Sequence, residues 1–110
     1  MATWRDVERI GTSLPGVVVG RWYGRPALVV AGKGMLHLGE GDDRLSFPTP
    51  EKDELLAARP DVYTNTPHLD GSRWVLCDLR GITTGELREH LVDAWREKAP
   101  KALQREHPEL

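Results

Sequence analysis

The spacing of apolar residues near the start of the chain predicts a helix. Trp4, Val7, Ile10 and Leu14 follow one another at helical intervals and would form one apolar stripe. Thr3 precedes the stripe, and its hydroxyl can cap the first free amides, with Asp6 in the capping-box position. The following Pro-Gly pair predicts that this amphipathic helix ends near Leu14.

Between residues 17 and 47 the helical spacing is replaced by short runs of β-branched and aromatic residues. The runs are VVVGRWY, ALVVA, MLHL and RLSF, and glycine-rich segments separate them. Each separating segment is of hairpin length, so the runs predict about four strands, each antiparallel to the next.

Helix and strand signals are mixed in the rest of the chain. Thr49 followed by Pro50 is typical of a helix start, and Arg59 followed by Pro60 of a helix end. Extended runs occupy residues 62–66 and 73–79. Thr83 begins a capping box before a final apolar stripe made of Leu87, Leu91, Ala94 and Trp95.

The order of elements predicts the fold class. The predicted order is helix, four strands, helix, two strands and helix. This order lacks the strict alternation of strands and helices that builds parallel sheets. We expect an α+β two-layer sandwich, in which helices cover one face of an antiparallel sheet. Residues 1–110 are predicted to form a single domain, with residues 102–110 either a short helical turn or frayed.

Alternation along the strands separates a core face of the sheet from an outer face. The core face is predicted to take Leu36, Leu38, Leu45, Phe47, Val75, Cys77 and Leu79. The outer face is predicted to take Met35, His37, Arg44, Ser46, Trp74, Leu76 and Asp78. His37, Arg44 and Trp74 together suit stacking or hydrogen bonding to a ligand, but such residues are also common on the solvent side of a sheet.

Composition narrows the class of protein. Of 110 residues, 39% are hydrophobic and 29% are charged, as in ordinary globular domains. No apolar run approaches the roughly 20 residues that cross a bilayer, and no secretion leader is recognisable. Because Cys77 is the lone cysteine, a disulfide framework is not expected, and we expect a cytoplasmic protein without membrane contact.

Charges are segregated along the chain. The formal net charge of −2 argues against strong nonspecific binding to a polyanion. However, no carboxylate lies between Glu8 and Glu40, whereas Arg9, Arg21, Arg25 and Lys33 do. A basic hairpin surface with nearby aromatic rings suits phosphate contact and base stacking, and a solvated surface explains the same pattern equally well.

No motif in the sequence predicts catalysis. The four histidines lack the spacing of a zinc site. His68 and Asp70 could orient an acid–base pair or supply two metal ligands, although a loop-shaping role for their TPHLDG segment is favoured. We therefore expect no enzyme, no cofactor and no metal centre, and the role of His68 and Asp70 stays open.

Four segments together resemble the MmcQ/YjbR family of small bacterial proteins. They are residues 14–17 (LPGV), 23–27 (YGRPA), 66–75 (TPHLDGSRWV) and 94–101 (AWREKAPK). The resemblance extends from about residue 3 to about residue 103. It implies an α+β fold related to that of the frataxin homologue CyaY, described as a double wing, with a proposed role in DNA binding.

The resemblance leads to a hypothesis of DNA binding without catalysis. Arg21, Arg25 and Lys33 would contact phosphates, and Trp22 or Trp74 would lie against a sugar or base. The sequence departs from the family at Leu69 and at Gly34-Met35, where aromatic residues are common, so stacking surface is lost.

Two alternatives remain. In the first, the outer face with His37, Arg44 and Trp74 binds a protein or a small ligand. In the second, which is weaker, a frataxin-like protein binds metal through an acidic segment. The acidic residues are Glu40, Asp42, Asp43, Glu51, Asp53 and Glu54.

Overall fold

Six strands form one antiparallel sheet in the computed structural model, which describes residues 1–39, 41 and 43–110. The strands are β1 (Val17–Trp22), β2 (Arg25–Val30), β3 (Lys33–Leu38), β4 (Arg44–Pro48), β5 (Tyr63–Thr64) and β6 (Trp74–Asp78). Their spatial order is β1-β2-β3-β4-β6-β5, so β6 lies between β4 and β5. The predicted hairpins are confirmed, because β1 pairs with β2, β2 with β3 and β3 with β4, each in antiparallel orientation.

Helices pack on one face of this sheet, as the sequence predicted. They are α1 (Trp4–Gly11), α2 (Lys52–Ala58), α3 (Thr84–Lys98) and α4 (Lys101–Glu106). The long helix α3 contacts α1, β3 and β4, and α2 contacts β5. The α+β sandwich is therefore confirmed, and a short helix, α4, occupies most of the C-terminal tail.

Capping explains where the helices begin. The Thr3 hydroxyl accepts a hydrogen bond from the Asp6 amide, and the Asp6 carboxylate accepts one from the Thr3 amide, which confirms the predicted capping box. Helix α2 begins at Lys52, two residues later than its Thr-Pro signal predicted. The Thr49 hydroxyl accepts from the Glu51 amide and thereby forms a turn before the helix instead of its cap.

Helix α1 ends at Gly11, earlier than the apolar stripe predicted. The hydroxyls of Thr12 and Ser13 donate to the backbone carbonyls of Glu8 and Ile10, at 2.6 and 2.5 Å. This turn still delivers Leu14 to the core, where the residue is buried. An apolar residue at helical spacing can therefore reach the core without belonging to the helix.

The prediction for Met35 is wrong, because a β-bulge turns this residue from the outer face of the sheet into the core. Met35 was expected on the outer face, but it is completely buried together with Leu36. Leu28 pairs with Leu36 and Val29 pairs with Gly34, so Met35 is an extra residue in β3. Because a bulge breaks the alternation of side chains, both Met35 and Leu36 enter the core.

A polar network joins β5 and the end of α2 to α3. The Tyr63 hydroxyl donates to the Glu86 carboxylate and lies 2.6 Å from Nε2 of His90. Since the tyrosine proton is directed to the carboxylate, Nε2–H of His90 donates to the tyrosine oxygen. The Arg59 guanidinium donates to both Glu86 oxygens, at 2.7 and 2.9 Å. Tyr63 and His90 are buried, so this network fixes β5 against α3.

Stability is expected to fall as the pH decreases from about 7 to about 5 because of His90. Burial lowers the pKa of His90, so the imidazole is neutral in the folded protein. The unfolded chain binds this proton more readily, hence the stability present above the unfolded pKa is lost as the pH falls. Denaturant unfolding at both pH values measures the effect.

His90→Phe is expected to flatten that pH dependence, because it removes the buried titrating group. His68→Ala is the matched control, since His68 is exposed and its removal should leave the wild-type slope. A His90→Phe variant with the same slope as wild type would contradict the assignment.

Candidate functional site

Three aromatic rings meet on the outer face of the sheet, above β3. Trp22 and Trp74 have ring centroids 5.6 Å apart, and His37 lies 5.5 Å from Trp22 and 5.8 Å from Trp74. Trp22 belongs to β1 and Trp74 to β6, two strands away from β3 on either side. Their indoles therefore lean toward each other across the face. We call Trp22, His37 and Trp74 the outer aromatic cluster; all three are half-buried.

Gly34 provides the space in which this cluster forms. A Cβ atom built on Gly34 would lie 1.8 Å from Cζ3 and 1.9 Å from Cε3 of Trp22. The indole thus occupies the volume that a side chain at position 34 would need. At this departure from the family pattern, Trp22 supplies aromatic surface from a neighbouring part of the sheet.

A cleft borders the cluster at the end of the sheet where β3 and β6 begin. Its volume is about 590 Å³, and its floor and walls come from the starts of β3 and β6 and from the junction between α3 and α4. Five basic side chains and two acidic ones line it, an excess of three positive charges. The basic ones are Lys33, Arg73, Arg96, Lys98 and Lys101, and the acidic ones are Asp93 and Glu97. We call this the basic cleft.

The acidic side chains neutralise the basic cleft only in part. Glu97 forms an ion pair with Arg73. Burial raises the pKa of Asp93 above its ordinary value. Lys33 and Lys101 have no carboxylate within ion-pair distance among the residues that the structure describes. These two ammonium groups are therefore available to an anion.

Lys98 connects the cleft to the aromatic cluster. Its Nζ atom lies 5.6 Å from the centre of the Trp74 ring, which is within cation–π distance. Positive charge and aromatic surface thus adjoin each other at the contact between Lys98 and Trp74.

The structure separates the basic residues that the sequence grouped on hairpins. Arg25 is the first residue of β2, whereas Lys33 pairs with Val30, the last residue of that strand. Val30 is five residues along the strand from Arg25, which corresponds to about 17 Å. Arg25 and Lys33 therefore do not form one surface, because successive hairpin turns lie at opposite ends of the sheet.

Arg21 and Arg25 are engaged with the protein itself. Nη1 of Arg21 donates to the Gly24 carbonyl at 2.9 Å, and Nη1 of Arg25 donates to the Gly39 carbonyl at 2.8 Å. These bonds hold the β1–β2 hairpin and the end of β3. Of the predicted DNA contacts, the structure brings Trp22 and Trp74 together, and Lys33 lines the basic cleft.

The His68 and Asp70 motif is a surface loop. Both residues are exposed, and Asp70 accepts a hydrogen bond from Asn65 at 3.1 Å. His68 forms no side-chain hydrogen bond with the described part of the chain. The loop is braced instead by the buried Lys52, whose Nζ donates to the Leu69 and Ser72 carbonyls at 2.9 Å.

Of the alternative ligand residues, His37 and Trp74 lie together but Arg44 does not, and the alternative metal residues do not assemble in the described structure. Arg44 pairs with Asp78, at the far end of β6 from Trp74, so it lies away from the aromatic cluster. Glu40 and Asp42 lie outside the described residues. Among the residues described, no three potential metal ligands come together. Burial raises the pKa of the Cys77 thiol to about 12, which keeps it protonated at neutral pH.

Sequence reasoning missed most of the basic cleft. Arg73, Arg96, Lys98 and Lys101 were not singled out, although three of them lie in the basic segment AWREKAPK. Taken by itself, that segment is typical of the solvent-exposed end of a helix. Only the packing of α3 beside the starts of β3 and β6 shows that it faces Lys33 and Trp74.

Comparison with known proteins identifies the family. A family model described as YjbR matches residues 12–97. The chain belongs to the YjbR family. None of the helices in the described part of this YjbR protein is long and apolar enough to span a membrane.

Curated relatives of this YjbR protein are named as uncharacterised. They include Mb2600 of Mycobacterium bovis and Rv2570 of Mycobacterium tuberculosis. Each is 34% identical over 126 aligned residues, which cover 94% of this chain and 93% of the relative. Their names assign no catalytic activity.

A solved structure supports the fold. The crystal structure of Deinococcus radiodurans protein DR2400, which contains a DUF419 domain, superposes with a TM-score of 0.75 at 23% identity. The match covers 96% of this chain and 88% of the other. The α+β architecture of the YjbR chain is thus shared with a crystal structure.

Proposed function

We propose that this YjbR protein binds DNA through the outer aromatic cluster and the basic cleft. The observation that supports this most is the position of Lys98, whose ammonium lies 5.6 Å from the Trp74 ring centre. Nucleic-acid sites combine cations that hold phosphate with flat rings that meet bases or sugars. Here the two kinds of group adjoin each other on one surface.

The positive charge of the basic cleft explains how a protein with a negative net charge could bind DNA. The protein carries a formal net charge of −2, but the cleft has five basic side chains against two acidic ones. Phosphate contacts depend on the cations near the backbone, and counterion release makes such binding weaken with salt. We therefore expect weak, strongly salt-dependent binding.

The proposed surface differs from the hairpin surface expected from the sequence. Lys33, Lys98 and Lys101 would hold phosphates, and Trp74 with Trp22 would contact a base or sugar. Arg21 and Arg25 support the hairpins through their carbonyl bonds. The role is binding without catalysis, and a cytoplasmic location would give the protein access to DNA.

Replacing Trp74 by leucine is expected to weaken DNA binding by about tenfold, because one base–aromatic stacking contact is worth roughly 1–3 kcal/mol. Fluorescence anisotropy with a labelled oligonucleotide at low and moderate salt measures the affinity. Trp4→Leu is the matched control, since Trp4 is also half-buried but lies on α1. Equal affinities of the two variants would remove Trp74 from the site.

Small-ligand binding at the same surface is the second candidate. A volume of about 590 Å³ falls in the range of pockets that hold a small organic molecule. Tryptophan fluorescence that shifts with a nucleoside monophosphate, in a protein that fails to bind any oligonucleotide at low salt, would favour this function over DNA binding.

A further inference from the structure

We infer that the preferred DNA is single-stranded, with a phosphate in the basic cleft and the adjoining base against the outer aromatic cluster. This inference rests on the proposed function and names the form of DNA that the same site would accept. It is supported by the placement of the rings, by the shape of the hairpin tips and by the confinement of the positive charge.

The first argument comes from the rings. Within a duplex the faces of the bases are covered by their neighbours, and only base edges are exposed in the grooves. An aromatic platform therefore needs an unstacked base. Trp22 and Trp74 are half-buried on a sheet face, packed against each other and against His37. Rings packed in this way do not protrude from the protein surface. They therefore cannot be inserted between adjacent base pairs, as the side chains of duplex-kinking proteins are.

The second argument comes from the elements that could enter a groove. A duplex reader inserts a helix or a two-stranded ribbon that carries cations. The β1–β2 tip consists of Tyr23 and Gly24, and its flanking Arg21 and Arg25 are turned onto backbone carbonyls. The β2–β3 tip consists of Ala31 and Gly32, and Lys33, the cation that follows it, lines the basic cleft beside α3 and α4.

The third argument comes from the extent of the positive charge. The five basic side chains surround one cleft of about 590 Å³ instead of forming a track along the molecule. Such a cleft can neutralise only a few phosphates. For about three phosphates on a single strand, the slope of log K against log salt would be about −2.

The test compares three labelled ligands of equal length by fluorescence anisotropy. They are an oligothymidine of about 12 nucleotides, an abasic strand with the same backbone, and a duplex of the same length. We expect the oligothymidine to bind about tenfold more tightly than either of the others, because only it offers both a phosphate and a free base face.

A pair of double variants tests the cleft itself. Lys33→Ala with Lys101→Ala is expected to weaken oligothymidine binding and to flatten the salt slope by about 1.4, because two phosphate contacts are lost. The charge-matched control is Arg5→Ala with Arg88→Ala, since both arginines are exposed and lie outside the cleft. This control should leave affinity and slope at the wild-type values.

The outcomes separate the inference from the proposed function. Duplex binding as tight as single-strand binding would overturn the inference while leaving DNA binding intact. Equal binding of the abasic strand and the oligothymidine would overturn the assignment of the base to the aromatic cluster. Failure to bind any of the three ligands at low salt would overturn DNA binding itself.

Discussion

Replacing Glu86 by alanine is expected to lower the free energy of unfolding by about 2–3 kcal/mol. The Glu86 carboxylate accepts the hydrogen bond of the buried Tyr63 hydroxyl, and that hydroxyl in turn lies 2.6 Å from Nε2 of buried His90. Alanine would leave this buried polar chain without its terminal acceptor. Loss of the Arg59 ion pair adds little, because that guanidinium is partly exposed.

Glu89→Ala is the matched control for this prediction. Glu89 is an exposed glutamate on the same helix, so its removal should change the free energy of unfolding by no more than about 0.5 kcal/mol. Urea unfolding of both variants, followed by circular dichroism, measures the difference. If Glu86→Ala were as stable as Glu89→Ala, the network would contribute nothing measurable to the fold.

Gly34→Ala is expected to lower the free energy of unfolding by about 1–3 kcal/mol and to displace the Trp22 ring. The new Cβ would lie within 2 Å of two indole carbons, so the ring must move or the strands must separate. The φ angle of Gly34 lies outside the left-handed region, so backbone strain does not contribute. A changed tryptophan emission spectrum and weaker oligothymidine binding should accompany the loss of stability.

A double-mutant cycle isolates this steric contact. In a Trp22→Ala background, Gly34→Ala should cost little, which gives a coupling energy of about 1–2 kcal/mol between the two positions. Gly85→Ala serves as the glycine control, because its Cβ would meet no described atom closer than 3.7 Å. Additive effects of the Trp22 and Gly34 substitutions would show that the indole does not require glycine at position 34.

Local signals predicted most of the elements. The caps at Thr3 and Thr83 and the short glycine-rich turns identified helix starts and hairpins, because these interactions involve residues three or fewer positions apart. At Thr83 only the hydroxyl cap forms, because the Glu86 carboxylate is bonded to Tyr63 and Arg59 instead of completing a capping box. The structure differs from the sequence-based predictions where a nonlocal contact or an irregularity in a strand decides the position of a residue. Met35 was placed on the wrong face because a one-residue bulge changes the alternation. Gly34, which precedes Met35 in β3, is the residue type that often marks such a bulge.

The sequence by itself determined the α+β class and the hairpin connections, and it singled out Trp22, Trp74 and Lys33 as candidate contacts. Only the tertiary structure decided which basic residues accompany them. Turn residues close in sequence lie at opposite ends of a strand, which separates Arg25 from Lys33. Conversely, Lys98 and Lys101, far along the chain, adjoin Lys33 and Trp74 because α3 and α4 end beside the starts of β3 and β6. A binding surface depends on such distances in space, and strand order and helix packing set them.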